Sequence, residues 1–406
     1  MQFSLSIYLA ILGWGGLVVG ILLNEWIVAK IWNIYDLSAQ IIVWGGTVIS
    51  ILAGAVLIKV RHQISAHIIL QSALIIGVLS IFPLIEGGLR ISGYPIWSGG
   101  TPPLPFKVEP GNKLYTTDEH VGFRLLPGKF TVTLPDGYSF HMTHLPDTLR
   151  ITHPLETYHF PSQKKEIWIF GCSFTYGWAL NDEETYPWLL QERFENYEIV
   201  NFGVMGYGIL QSYLQLQEAL KSRDSKPQIV IINYASFHDE RNILPRSRQK
   251  ILKITNYLGP IIHPPYADID QNGRLSYTTT PIEYHPLPLM KYSAFLNLLD
   301  DGYNRIENMC YDQRGISKAI LQEFFNLAKQ NQIEMIVAGI YADSKTKEML
   351  TDCQRIGMKS VDISVDLKMP HYIMLPHDNH PSPLANQEYA KKLEQFLREQ
   401  MHLVTF

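Results

Sequence analysis

Three long apolar runs without a polar face lie before residue 86, at about 3–23, 39–60 and 64–85. Each is close to the roughly 20 residues that a helix needs to cross the ~30 Å of hydrocarbon in a bilayer. A surface helix of a globular domain would carry a polar face. The pattern therefore predicts three transmembrane helices, with residues 1–90 as the anchor of a multi-pass integral membrane protein.

Two details of this region suggest its arrangement. Lys59 and Arg61 lie at the end of the second run, whereas only Lys30 lies between the first two, and this bias favours an extracytoplasmic position for the rest of the chain. Gly16 and Gly20 have the spacing of a close-packing helix face, although glycine is also simply tolerated in apolar helices. A cleaved signal peptide is an alternative for the first run, but neither a basic start nor a small-residue cleavage site accompanies it.

The pattern changes twice after the apolar runs. Residues 91–105 are rich in Gly, Pro and Ser, which predicts an extended linker. Short alternating runs follow, such as Phe130–Leu134 ahead of the turn signal Pro135-Asp136-Gly137. We interpret 91–164 as a linker and a small β-rich segment.

From about residue 165 short apolar runs alternate with amphipathic ones. The predicted strands are Glu166–Phe170, Glu198–Phe202, Gln228–Tyr234, Glu334–Ile340 and Lys359–Ile363, and the predicted helices are Glu183–Phe194, Ile209–Leu220, Ile316–Gln330, Ser344–Ile356 and Pro383–Met401. This alternation predicts an α/β domain over 165–406, with a parallel sheet between two layers of helices. The proline-rich stretch 242–299 is too long for a plain connection, so we interpret it as a lid or substrate-binding insertion, with a surface excursion without function as the alternative.

Composition narrows the classes of function. The 406 residues carry a net charge of -4 and only 18% charged side chains, which is not the basic footprint of a nucleic-acid-binding protein. We expect no nucleic-acid partner. The three cysteines Cys172, Cys310 and Cys353 do not make a disulfide framework. Free thiols are favoured, with one Cys310–Cys353 bridge as the alternative.

A serine follows the first strand of the predicted α/β domain directly. Ser173 stands in Gly171-Cys172-Ser173-Phe174-Thr175-Tyr176-Gly177. A serine on a tight turn between strand and helix exposes its hydroxyl at the sheet edge, and its own amide can face an oxyanion. Serine is a weak nucleophile and needs a base. The alternative is a serine that only caps a helix.

The candidate base lies just before the last predicted helix, in Pro376-His377-Asp378-Asn379-His380-Pro381. His380 supplies the base, and Asp378 supplies a carboxylate that orients it. A metal site with His377 and His380 as ligands is the alternative, but no further ligand cluster has a recognisable spacing, so no metal is predicted.

A glycine-rich segment, Asn201–Gly208, follows the second predicted strand. Its spacing is the reverse of a dinucleotide fingerprint, and no acidic residue ends the next strand, so no nucleotide cofactor is predicted. We interpret the segment as a turn that brings a backbone amide towards the serine.

Together these blocks resemble the SGNH (GDSL-like) hydrolase family over about residues 120–400. The resemblance rests on 171–177, on 181–187, on the glycine segment and on Asp378 with His380, and also on Val121–Gly128 ahead of the domain. It implies a three-layer, flavodoxin-like α/β/α fold with Ser173 as nucleophile, His380 as base and Asp378 as its carboxylate. It also implies an oxyanion hole from the amides of Ser173 and Gly206.

Three positions depart from the family pattern. Cys172 replaces the usual Asp, and a thiol cannot make that carboxylate's hydrogen bonds; Cys172 as the nucleophile is a further alternative. His238 stands where the family has an Asn, and its imidazole could be the third oxyanion donor or a structural side chain. One residue separates Asp378 from His380, where the family commonly has two.

The resemblance implies an esterase for O-acyl, including acetyl, esters of glycans or lipids, without a cofactor. The apolar runs and the charge bias add that it is embedded in the membrane, with its catalytic domain on the extracytoplasmic side. An O-acyltransferase that acts on a cell-surface glycan is the first alternative. A degenerate membrane assembly or binding protein is the second. The cations Arg241, Arg246, Arg248 and Lys250 could meet an anionic group, although a solvated face is the favoured interpretation.

Overall fold

A computed structural model describes residues 2–22, 37–60, 82–97, 99, 106–157, 164–255, 263–270 and 274–403. The chain forms two compact units. The first contains residues 1–99 and 285–304, and the second contains residues 100–284 and 305–406.

Two long helices dominate the first unit. Helix α1 spans Gln2–Leu22 and helix α2 spans Leu37–Val60. A Cβ added to Gly20 would lie 2.7 Å from Ile51 Cγ1, and one added to Gly16 would lie 3.2 Å from the Ser50 carbonyl oxygen. Both glycines therefore lie against α2, as the close-packing interpretation predicts.

The predicted membrane anchor is wrong. Within the described residues, no helix has both the length and the apolar character needed to cross a bilayer. The expectation of three transmembrane helices is therefore overturned, and with it the expectation of a multi-pass integral membrane protein. Most of the third predicted span, 64–81, lies outside the described residues. Its last residues are helical, and the helix continues to residue 91, where Glu86 and Arg90, which follow the predicted span, form an ion pair at 2.7 Å.

Glu86 ties two parts of the first unit together. Its carboxylate accepts hydrogen bonds from the Ser293 hydroxyl at 2.8 Å and from the amides of Ala294 and Phe295, both at 2.9 Å. Those amides open the helix Ala294–Cys310 and have no partner within that helix. Residues 285–304, of which 285–299 belong to the predicted insertion, thus group with the N-terminal part of the chain.

The second unit begins with antiparallel strands, as predicted for the β-rich segment. Strands β1 (Lys107–Glu109), β4 (Gly128–Thr133) and β5 (Ser139–His144) form a sheet in the order β1-β4-β5, and β2 (Tyr115–Asp118) pairs with β3 (Gly122–Leu125). Arg150 forms isolated bridges with His144 and with Asn201. The backbone of Arg150 therefore joins this segment to the strand that contains Asn201.

The central sheet has five parallel strands. They are β6 (Lys165–Phe170), β7 (Tyr197–Asn201), β8 (Pro227–Tyr234), β11 (Glu334–Gly339) and β12 (Lys359–Asp362), arranged as β12-β11-β8-β6-β7. In chain order this is 2-1-3-4-5, the flavodoxin-like arrangement, whose ligand crevice lies at the carboxyl ends of the first and third strands. The predicted parallel sheet is confirmed, and β6 and β8 are those two strands.

Helices cover both faces of this sheet. The helices of the second unit are α3 (Ser173–Tyr176), α4 (Tyr186–Arg193), α5 (Ile209–Ser222), α6 (His238–Ile243), α7 (Arg246–Thr255), α9 (Gln313–Gln330), α10 (Ser344–Arg355) and α11 (Pro383–Met401), whereas α8 (Ala294–Cys310) begins in the first unit and ends in the second. Along β6, Ile167 and Ile169 join the core with α4 and α11, whereas Trp168 and Phe170 join the core with α5 and α9. The predicted three-layer α/β/α arrangement is therefore confirmed.

The stretch 242–299 is more regular than its sequence indicated. It contains α7, an antiparallel hairpin of β9 (Tyr266–Ile269) and β10 (Leu275–Thr278), and a 3₁₀ turn at Met290–Tyr292. Residues 256–262 and 271–273 lie outside the described residues. Its role as a lid stays a prediction.

Candidate active site

The turn after β6 presents Ser173 at the start of α3. Cys172 precedes it in an extended conformation, and Gly177 ends the helix at a positive φ of 81°. The turn is so tight that a Cβ on Gly171 would lie 2.2 Å from the Thr175 hydroxyl oxygen. Glycine is therefore required at 171. Ser173 is 4% exposed, so only a small part of its surface reaches solvent.

The structure brings the three predicted triad residues together. The Ser173 hydroxyl oxygen lies 3.0 Å from Nε2 of His380, and Nδ1 of His380 lies 2.5 Å from Oδ1 of Asp378. The same carboxylate oxygen accepts the His380 amide at 2.8 Å. The short Asp-x-His spacing thus lets one carboxylate hold both the ring and the backbone of His380. A neutral ring with its proton on Nδ1 can accept the serine proton at Nε2.

The second oxygen of Asp378 is held by an indole. Trp178 Nε1 donates to Oδ2 at 3.3 Å. Burial would raise the pKa of the Asp378 carboxyl, but its hydrogen bonds with His380 and Trp178 and the charge of His380 lower that pKa below its ordinary value. The carboxylate therefore stays ionised, as orientation of His380 requires.

Cys172 is not placed to act in place of the serine. Its side chain is fully buried in the apolar core shared with Ile169 and Tyr389. The base His380 is hydrogen-bonded to Ser173. The three cysteines are free thiols, two of them buried, so the alternative Cys310–Cys353 bridge does not form in the structure.

The glycine segment approaches the serine turn closely. A Cβ on Gly203 would lie 2.4 Å from the Tyr176 amide nitrogen, and the Val204 amide donates to the Gly171 carbonyl at 3.1 Å. Gly206 has a positive φ of 87°, and its amide makes no hydrogen bond within the described part of the chain. An amide of this kind is free to donate to a substrate oxygen.

His238 is buried beside this region, at 1% exposure. Its Nδ1 accepts the Ala235 amide at 3.4 Å, which puts the ring proton on Nε2, and Nε2 has no partner among the described residues. Burial, with a contribution from the charge of Arg241, lowers the pKa of His238 well below its ordinary value, so the ring is neutral. No hydrogen bond joins it to Ser173 within the described ranges, and its role as an oxyanion donor stays a prediction.

Sequence reasoning missed Arg150, whose side chain holds the turn that contains Ser173 by hydrogen bonds to its carbonyl oxygens. Its side chain is fully buried, and its guanidinium donates to three carbonyl oxygens: Tyr176 at 2.7 Å, Gly177 at 2.5 Å and Leu180 at 2.7 Å. It also pairs with Asp182 at 3.0 Å. The only available signal was an arginine between two apolar residues in a strand-like segment. Such a position favours a buried, fully bonded cation.

His377 lies outside the triad. Its Nδ1 pairs with Asp136 Oδ2 at 2.5 Å, and its ring stacks on Tyr138 at 4.5 Å. The predicted turn at 135–137 therefore contacts the loop that contains Asp378 and His380. Among the described residues, no group of three or more His, Cys, Asp or Glu side chains is placed to hold a metal ion.

No family model and no curated protein matches the chain. Solved structures similar to it include a member of the lipolytic protein G-D-S-L family from Veillonella parvula, at 13% identity over 58% of this chain and 99% of that one, with a TM-score of 0.34. TesA is similar at 12% identity over 58% of this chain and 98% of that one, also with a TM-score of 0.34. An active-site mutant of a family two carbohydrate esterase from Clostridium thermocellum is similar at 12% identity, over 59% and 65%, with a TM-score of 0.30. No family membership follows at these values.

Proposed function

We propose that this chain is a serine ester hydrolase that works through an acyl-enzyme. One observation carries the proposal: the 3.0 Å contact between the Ser173 hydroxyl and His380 Nε2, with Asp378 on the other ring nitrogen. His380 takes the serine proton as the oxygen attacks the ester carbonyl. The alcohol leaves with that proton, and water, activated in turn by His380, releases the acid.

The negative charge that develops on the carbonyl oxygen needs fixed donors. We assign this role to the amides of Ser173 and Gly206, with His238 Nε2 as a third candidate. The Gly206 amide and His238 Nε2 support this assignment, because neither has a hydrogen-bond partner in the part of the chain that the structure describes. One such donor typically changes the rate by roughly 10²- to 10³-fold.

The substrate class that we propose is an O-acyl ester of a glycan or a lipid. The small exposed fraction of Ser173 is compatible with an acyl group as short as acetyl. Cys172 has no role in this mechanism beyond packing, because its side chain is fully buried.

The test combines turnover with covalent labelling of the full-length protein. We expect the protein to hydrolyse 4-nitrophenyl acetate and to form a fluorophosphonate adduct on the peptide that contains Ser173. Ser173→Ala should remove both, and His380→Ala should lower kcat roughly 10⁴-fold or more. Ser222→Ala, a change at an exposed serine on α5, is the matched control.

Hydrolysis that survives Ser173→Ala, or a label on another residue, would overturn the proposal. An acetylated oligosaccharide mixed with an unacetylated acceptor then separates hydrolysis from acyl transfer. Release of free acetate without acetylation of the acceptor is the expected result.

A further inference from the structure

Two arginines lie beside the serine turn, and neither forms an ion pair with an acidic side chain among the described residues. Arg241, on α6, donates to the Tyr207 carbonyl at 2.9 Å and lies over the Phe237 ring at 4.6 Å. Its charge also interacts electrostatically with the thiol of Cys172, the residue before the nucleophile. These contacts fix the guanidinium at the edge of the active-site turn.

Arg248, on α7, approaches the same place from the other side. Its Nη2 lies 3.8 Å from the position that a Cβ on Gly206 would take. The side chain is half-buried, and it makes no hydrogen bond or ion pair within the described part of the chain. A guanidinium with its donors unused therefore lies next to the amide that we assign to the oxyanion hole.

The charges around Arg241 and Arg248 do not fit the alternative that these arginines only form a solvated surface. Burial, together with the charge of Arg241, lowers the pKa of Arg248 to about 10. The cation is thus partly desolvated and repelled by its neighbour, yet still protonated near neutral pH. Glu240 acts on both arginines more weakly, and its carboxylate accepts a hydrogen bond from Ser247 at 2.7 Å. The two guanidinium charges therefore face one carboxylate, and an anionic ligand can neutralise the excess positive charge.

We propose that Arg241 and Arg248 bind an oxyanionic group of the substrate, a carboxylate or phosphate close to the scissile ester. This inference rests on the proposed function. A planar guanidinium matches either group through two parallel N–H donors. The preferred substrate is then an ester of an acidic glycan or of an anionic lipid rather than a neutral ester.

Matched pairs of esters test this proposal on the full-length protein. The first pair places the charge on the alcohol side, with 3-acetoxybenzoate against its methyl ester. The second places it on the acyl side, with mono-4-nitrophenyl glutarate against 4-nitrophenyl pentanoate. Arg248→Gln should lower kcat/KM for the charged member of one pair roughly 10- to 100-fold, mainly through KM, and change the neutral member less than about threefold.

Arg274→Gln is the matched control, because it removes the same charge from an exposed position before β10. The pair that responds locates the anion on the acyl or the alcohol side. Equal losses for charged and neutral esters, or no loss for either, would overturn the subsite. Arg248→Gln should also melt at the same temperature as the wild type or higher, since it relieves repulsion; a lower value would indicate a structural role.

A binding measurement separates this inference from the proposed function. Inorganic phosphate should raise the melting temperature of Ser173→Ala, and the increase should shrink when Arg248→Gln is added but not when Arg274→Gln is added. If no ester is hydrolysed, the proposed function is wrong, but the phosphate titration still tests whether Arg248 binds an anion. The same increase in all three proteins would refute the site.

Discussion

Arg150→Met should damage both stability and catalysis, because this residue holds the serine turn. The change keeps an apolar stem of similar length and removes a fully buried guanidinium. It leaves the carbonyl oxygens of Tyr176, Gly177 and Leu180 without this donor, and it removes the charged partner of the Asp182 carboxylate. Removing one member of a buried charged network typically costs about 3–5 kcal/mol.

This cost is a large part of the ~5–15 kcal/mol by which a domain is normally stable. We therefore expect Arg150→Met to lower the melting temperature by roughly 10 °C. The variant that remains folded should also be slow, because a displacement of about 1 Å at a nucleophile costs roughly 100-fold in rate. Thermal melts by circular dichroism and kcat with 4-nitrophenyl acetate, taken well below the variant's own melting temperature, measure the two effects.

Arg193→Met provides the comparison. This arginine is half-exposed and pairs with Glu394 at 2.9 Å, so its loss should cost less than ~1 kcal/mol and leave kcat unchanged. If Arg150→Met is no less stable than Arg193→Met, the reasoning about the buried cation fails. If it is unstable but retains full kcat when folded, Arg150 supports the domain and not the position of Ser173.

Three further predictions concern other groups. Burial lowers the pKa of His144 to about 3, so below pH ~6 the unfolded chain binds a proton at this residue and the folded chain does not. The free energy of unfolding should therefore fall by about 1.4 kcal/mol for each pH unit below ~6. In urea melts, His144→Gln should reduce this dependence on pH. Asp378→Asn should lower kcat roughly 10³- to 10⁴-fold at an unchanged melting temperature, and a smaller loss would mean that His380 is oriented without it. Glu86→Gln should weaken hydrogen-exchange protection of the Ala294 and Phe295 amides, with no effect on ester hydrolysis; unchanged protection would rule out the capping role.

The α/β part of the fold could be predicted from sequence because its signals are local. The last helix, Pro383–Met401, begins and ends where its pattern indicated, with Ser382 as its cap. The strand Pro227–Tyr234 is a nearly continuous apolar run, since helices cover both of its faces. The predicted helix 183–194 instead splits into a 3₁₀ turn at Asp182–Glu184 and α4, because Pro187 fits only the first turn of a helix.

What failed depended on information that a local pattern does not contain. Apolar runs near the start predicted membrane spans, but an apolar helix can equally pack on a second helix, as Gly16 and Gly20 do against α2. The role of Glu86 depends on a partner about 200 positions away in the chain. Arg150 was missed for the same reason: its acceptors come from a turn that no spacing relates to it.

Cys172, the residue before Ser173, is the departure from the SGNH pattern that lies nearest to the proposed nucleophile. A carboxylate there would bond to the turn, whereas the Cys172 thiol makes no cap hydrogen bond. Other groups hold the turn instead: the Val204 amide donates to the carbonyl two residues before Ser173, and Asn201 Nδ2 donates to the carbonyl two residues after it at 3.1 Å. Arg150 holds the next two carbonyls. Val204, Asn201 and Arg150 hold the turn in place without a carboxylate at 172. A cysteine at this position therefore does not by itself indicate that catalytic activity has been lost. Arg150→Met, rather than Cys172→Asp, is the change on which the activity of Ser173 should depend.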